Sequence, residues 1–205
     1  MRQAPLLVRL LAAVAAHSGA LVRRFAHNRE GVAAIEFAAV MPVMLMMYLG
    51  SLELSSGIIV DQRVTNVAGA VGDLVSREKG EVSASDLSDY FQAATAIMQP
   101  FSSSGLKQVI TEVYVSTTGT TLVKWSQAYG GGTAKTVGVA YPATNAIPAA
   151  MINISKGNYI IVAEASYTYK PLLGFFFKSS FNLYHQNFYL PRYAAIICYN
   201  TTTCS

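Results

Sequence analysis

A single carboxylate interrupts the most apolar stretch of the chain. Residues 32–52 read VAAIEFAAVMPVMLMMYLGSL, and Glu36 is their only charged residue. An ionisable side chain in hydrocarbon costs free energy, so such a residue is first interpreted as functional. Gly31 lies directly before the stretch, and a glycine suits a protease that binds extended backbone beside a bulky helix, because no side chain obstructs it. Gly31 and Glu36 are therefore the first candidates for chemistry.

The apolar stretch has the length of a membrane span. At about 1.5 Å per residue, a helix over residues 32–52 covers roughly 31 Å, about one hydrocarbon core. Pro42 lies inside it, and membrane helices tolerate proline better than soluble ones. Tyr48 is placed to anchor the distal end at the interface. The sequence predicts one transmembrane helix here.

The positive charge of the chain is concentrated before this helix. The net charge is +4, and residues 1–31 hold five arginines and one acid, so residues 32–205 are neutral overall. Arginines before an apolar run are retained in the cytoplasm. A chain without a basic patch in its main part lacks the electrostatics of nucleic-acid binding. We expect a membrane protein with no nucleic-acid partner.

Residues for catalysis or metal binding are sparse. Two of the three histidines precede residue 32, leaving His185 alone in a predicted strand. Residues 130–132 are glycines without the Lys-Ser/Thr of a phosphate loop. Glu112 and Glu164 lie on two predicted strands and could pair as catalytic carboxylates, but the alternation of each strand favours ordinary polar-face residues. No catalytic site, metal, cofactor or small-molecule substrate is predicted, and the protein is expected not to be an enzyme.

The two cysteines lie near the C-terminus. Cys198 and Cys204 are six positions apart, which fits neither a four-ligand zinc site nor a redox CxxC motif. A short disulfide loop is predicted if this end lies in an oxidising compartment; otherwise the two are free thiols.

A helical pattern continues beyond the membrane stretch. Apolar residues repeat at spacings of three and four along residues 53–80: Val60, Val64, Val67, Val71 and Leu74. This stripe covers either the protein's own sheet or a partner helix, and the pattern alone does not decide between them. Asp73 and Arg77 are spaced to form an ion pair.

A smaller helix and a sheet complete the predicted fold. Ser85 is expected to cap a helix that runs to about Gln99. Alternating residues then predict strands over 109–116, 121–127, 159–169 and 181–190, with a further candidate over 193–199. The fold class is α+β, with a long N-terminal helix, a small helix and an antiparallel sheet. The apolar segment PLLGFFF at 171–177, which includes Phe175 and Phe177, is either core or a subunit contact.

The N-terminal motif resembles that of a known family. The run EGVAAIEFA at 30–38, with Met41-Pro42 and a second acid at Glu53, is similar to TadE-like minor pseudopilins of tight-adherence (Flp-type) pilus systems, which share the type IV pilin N-terminus. The resemblance implies a pilin-like fold and cleavage by prepilin peptidase after Gly31, which makes Val32 the mature N-terminus. It also implies that Glu36, with Phe37 beside it, acts in assembly by offsetting the new amine.

The expected organisation follows from these elements. Residues 1–31 form a basic leader, 32–52 the span, 53–80 an amphipathic extension and 81–205 an extracytoplasmic α+β domain. We expect a single-pass inner-membrane subunit with a cytoplasmic N-terminus and a periplasmic C-terminal domain, which either enters the pilus or helps start it. Its expected partners are the membrane, prepilin peptidase, other pilin-like subunits and the assembly platform. The alternative is a signal-anchored periplasmic binding or sensor module, in which Glu36 is incidental.

Overall fold

The computed structural model describes residues 31–171, 174 and 178–200. The leader before Gly31, Cys204 and the Phe175–Phe177 stretch lie outside the described residues. The chain falls into two compact units with a boundary between Ser51 and Leu52.

Helix α1, Val32–Ser76, runs across this boundary and contains Pro42. In its second half the predicted stripe is buried, since Val60, Val64 and Val67 are fully inaccessible. Val75, rather than half-buried Leu74, ends the stripe. The stripe packs in one core with residues of the sheet, so it covers the protein's own domain.

The small helix α2, Ala84–Thr95, begins two residues earlier than predicted. Its N-cap is Ser83, not Ser85, because Ser83 and Asp86 form a reciprocal capping box. The Ser83 hydroxyl accepts from the Asp86 N–H at 3.1 Å. A short 3-10 helix, Ala96–Met98, extends α2 toward Pro100.

Four antiparallel strands form the main sheet: β2 (Lys107–Val115), β3 (Thr121–Tyr129), β4 (Tyr159–Tyr169) and β5 (Phe181–Tyr189). Their order in the sheet is β3-β2-β4-β5. The pairs β2–β3 and β4–β5 are hairpins, and the central strands β2 and β4 pair with each other. The predicted α+β class is confirmed.

A two-stranded parallel pair accompanies the sheet. Strand β1, Glu81–Val82, pairs with β6, Cys198–Tyr199. The candidate strand over 193–199 is thus reduced to its last two residues. Its pairing partner is distant in sequence, which local alternation cannot indicate.

Both faces of the main sheet are covered. One face packs against α1 and α2, with Ile161, Ala163 and Ala165 pointing toward the helices. The other face packs against the β3–β4 connection, through Tyr141 and Ile147. This connection also contains a short helix α3, Ala149–Ile154.

Candidate functional site: the exposed apolar helix

The predicted motif around Gly31 and Glu36 lies exposed at the start of α1. No atom of the described residues lies within 4 Å of the point where a side chain on Gly31 would begin. Val32 is 49% exposed and Glu36 is also exposed. Glu36 is four positions after Val32, so the two lie on one helical face, a turn apart. Among the described residues no ion pair engages Glu36.

The apolar side chains that follow are exposed as well. Phe37, Met44 and Met47 have exposed fractions of 64%, 60% and 72%. Within the described part of the chain, α1 is the one helix long and apolar enough to cross a membrane, and none of its most apolar window is buried. A continuous apolar surface of this extent calls for lipid or protein around it.

The same residues carry a family signature. Residues 31–72 match the family model for TadE-like proteins. This segment is TadE-like. The TadE-like match includes Gly31, Val32, Glu36, Phe37 and Glu53, and it ends before α2 and the sheet. It supports a protein associated with tight-adherence pili. No curated protein and no solved structure matches the chain significantly.

Glu53, the second acid of the TadE-like segment, is in a different environment from Glu36. It is only 4% exposed and lines a groove of about 240 Å³ together with Gly57 and Tyr169. The pKa of Tyr169 is raised by burial and, secondarily, by the negative charge of Glu53. Glu53 is therefore buried in the sheet domain, whereas the Glu36 side chain is exposed.

His185 is half-buried and pairs with α1. Its Nε2 lies 2.6 Å from the Asp61 carboxylate. The contact ties strand β5 to the helix. The predicted pair of Asp73 and Arg77 is confirmed at 2.7 Å, and Arg192 joins it at 2.6 Å from Asp73.

The interpretation of the strand glutamates as ordinary polar-face residues is wrong, because both are buried. Glu164 lies 2.9 Å from the Lys135 ammonium and accepts a hydrogen bond from the Tyr184 hydroxyl at 2.5 Å. Burial and this carboxylate raise the pKa of Tyr184. Glu112 faces the helices, so the two carboxylates lie on opposite faces of the sheet and cannot act as a pair.

Glu112 is fully inaccessible. One carboxylate oxygen, Oε1, accepts the Ile197 N–H at 2.8 Å, and the other has no hydrogen-bond partner among the described residues. Burial raises the pKa of Glu112 to about 7, and the Ile197 N–H opposes that shift. Neither the burial nor the contact with Ile197 has a local signal in the sequence, since the two residues are far apart in the chain.

The described residues contain no group of three His, Cys, Asp or Glu side chains placed to hold a metal ion. Cys198 lies in β6. Because Cys204 lies outside the described residues, the disulfide between them stays a prediction.

Proposed function

We propose that the protein is a minor pilin-like subunit that takes part in assembling a tight-adherence (Flp-type) pilus or a related secretion machine. In this proposal prepilin peptidase cuts after Gly31, and the mature chain begins at Val32. The subunit stays in the inner membrane through α1 until other pilin-like subunits engage it. Its role is structural, without catalysis of its own.

One observation carries the proposal. A TadE-like helix follows a glycine that has no described atom close to its side-chain position, and it exposes its apolar surface with a single carboxylate one turn from Val32, the proposed mature N-terminus. An exposed acid in an apolar helix is costly in lipid, by about 2.5–3.5 kcal/mol at the bilayer centre and less near a helix end. The amine released at Val32, or that of an adjacent subunit, offsets this cost.

The proposed orientation follows from the leader. Its five arginines place the N-terminus in the cytoplasm, where prepilin peptidase cuts, and the sheet domain in the periplasm. The proposed partners are the peptidase, pilin-like subunits and the assembly platform.

Replacement of the exposed acid tests the assembly role. The Glu36→Gln variant keeps the size of the side chain and loses its charge, so we expect normal cleavage and insertion but reduced co-purification with pilin-like subunits. Glu81→Gln is the matched control, since Glu81 is exposed in β1, outside the TadE-like segment. Unchanged co-purification and piliation with Glu36→Gln would favour the signal-anchored binding or sensor module instead.

A further inference from the structure

The sheet domain carries an exposed apolar surface next to the point where α1 leaves the predicted span. Leu54 and Ile58 on α1 are 56% and 51% exposed, and Phe181 at the start of β5 is 40% exposed. Lys170 and Lys178, both exposed, lie at the end of β4 and shortly before β5. These five residues are called the proximal surface below.

Contacts along α1 show at which end of the sheet the proximal surface lies. Beside Gly57, the rings of Tyr169 and Phe181 lie 3.9 Å and 4.0 Å from the point where a side chain would begin. Further along the helix, Gly72 approaches Ala163 in the same way. Helix α1 and β4 therefore run in opposite directions, and the end of β4 lies beside the beginning of the domain.

This end of the domain follows closely on the predicted span along the chain. Gly57 is five residues beyond Leu52, the last residue of the predicted span, which amounts to roughly 7.5 Å along the axis. The headgroup layer on each side of the hydrocarbon core is roughly 5–8 Å thick. The short link therefore keeps Gly57, with Tyr169 and Phe181 beside it, within reach of that layer.

The charge pattern suits a lipid surface. Apolar side chains flanked by lysines are typical of interfacial binding, because the chains enter the acyl boundary while the ammonium groups meet anionic headgroups. The seven residues between Lys170 and Lys178 carry no charge. A protein partner that uses only the apolar side chains does not require these two cations.

We propose that the proximal surface is a second membrane contact, which docks the sheet domain on anionic lipid headgroups. Docking holds the sheet domain at the bilayer. It thereby fixes the distance from the membrane at which the domain contacts neighbouring subunits. This inference rests on the membrane anchorage in the proposed function, but not on cleavage after Gly31. Resistance of the full chain to carbonate extraction reports the anchorage separately.

Quenching by brominated lipids tests the contact. The full-length chain is reconstituted in vesicles of phosphatidylcholine and phosphatidylglycerol, with bromine near the headgroup end of the acyl chains. A tryptophan is introduced by Phe181→Trp, and the matched control is Tyr193→Trp. Tyr193 is 68% exposed and follows Arg192, whose N–H donates to Ser76 at the other end of α1. The native Trp125 is 1% exposed and gives a constant background.

We expect brominated lipid to quench the added emission of Phe181→Trp but not that of Tyr193→Trp. Adding Lys170→Glu and Lys178→Glu to Phe181→Trp should remove this quenching. Adding Lys79→Glu and Lys156→Glu, the same change of charge on exposed lysines at the far end of the domain, should leave it intact.

Equal, weak quenching of both tryptophan variants in carbonate-resistant protein would overturn the inference. Quenching that disappears when a second copy or another pilin-like subunit is added in excess would also overturn it, because the surface would then serve a protein partner. Quenching that persists in pure phosphatidylcholine and is unaffected by the Lys170 and Lys178 changes would contradict the role given to anionic headgroups.

Discussion

At the scale of single residues, Glu112 is the least expected feature of the domain. Its Oε1 holds the Ile197 N–H, and the adjacent Trp125 indole donates to the Ile197 carbonyl at 2.6 Å. Two residues of the main sheet thus hold both backbone polar groups of Ile197 in the C-terminal segment. This arrangement costs free energy, because the Glu112 carboxyl group loses its hydration when the protein folds.

This cost predicts a pH dependence of stability. Folding raises the pKa of Glu112 from an ordinary 4.5 to about 7. The folded state then binds the proton more tightly than the unfolded state, so the contribution of Glu112 is most favourable below pH 4.5 and is lost as the pH rises to about 7. The free energy of unfolding should fall by roughly 3 kcal/mol across that window on account of this group.

The Glu112→Gln variant isolates the effect. Glutamine retains an oxygen for the Ile197 N–H but does not titrate, so its free energy of unfolding relative to the native chain should rise between about pH 4 and about pH 8. Urea unfolding of detergent-solubilised protein, followed by Trp125 fluorescence, measures this difference. Glu81→Gln, at an exposed position, should show no such change. If the free energies of unfolding of Glu112→Gln and native protein differ by the same amount at about pH 4 and at about pH 8, Glu112 does not titrate as proposed.

At the scale of elements, the packing of α1 on the sheet depends on one glycine. A side chain at Gly72 would begin 2.5 Å from two ring atoms of Tyr189 and 3.0 Å from the Ala163 side chain. The Tyr189 hydroxyl donates to the Gly69 carbonyl at 3.0 Å, which restrains the ring. Strand β5 can lie this close to the helix only because residue 72 has no side chain.

Substitution of this glycine should loosen the helix from the sheet. Gly72→Ala forces Tyr189 to move, and overpacking of this kind costs about 1–3 kcal/mol, more than the gain in helix propensity of up to about 1 kcal/mol. Gly57→Ala on the same helix meets only ordinary contacts, so it should be neutral or slightly stabilising. Urea unfolding curves of both variants measure the difference; equal stability of the two would contradict the close approach at Gly72.

The elements were predictable where a local period exists. Helical spacing located α1, and alternation located β2 to β5, because each element has a buried face with its own repeat. The stripe on α1 gave no indication of what covers it, since burial against a sheet and against a partner helix produces the same pattern. The cap at Ser83 was missed because Ser83 and Ser85 are equally suitable residue types, and only the reciprocal contact with Asp86 selects one.

Some residues of the candidate site could likewise be predicted from the local sequence, and others could not. Gly31 and Glu36 could be identified because a glycine and an acid stand out beside an apolar run. The burial of Glu53, the pair of His185 and Asp61 and the contact of Glu112 with Ile197 could not. Each joins residues that are distant in sequence or depends on the packing of the whole domain.

At the scale of the whole molecule, the proposed topology has a chemical consequence. If the sheet domain lies in the periplasm, Cys198 and Cys204 should be joined there. Freshly isolated protein should then resist alkylation at both positions until a reductant is added, as measured by mass spectrometry of the C-terminal peptide. Rapid labelling of both thiols without reductant would contradict the compartment as well as the bridge.

The central claim is that the chain is a processed subunit, and its mature N-terminus tests that claim most directly. Protein recovered from membranes of cells with active prepilin peptidase should begin at Val32, as determined by N-terminal sequencing or mass spectrometry. The Gly31→Leu variant should remain at precursor length, because its side chain obstructs the cleavage site. Protein that keeps Met1 in those cells would contradict the account, and α1 would then be an uncleaved signal anchor.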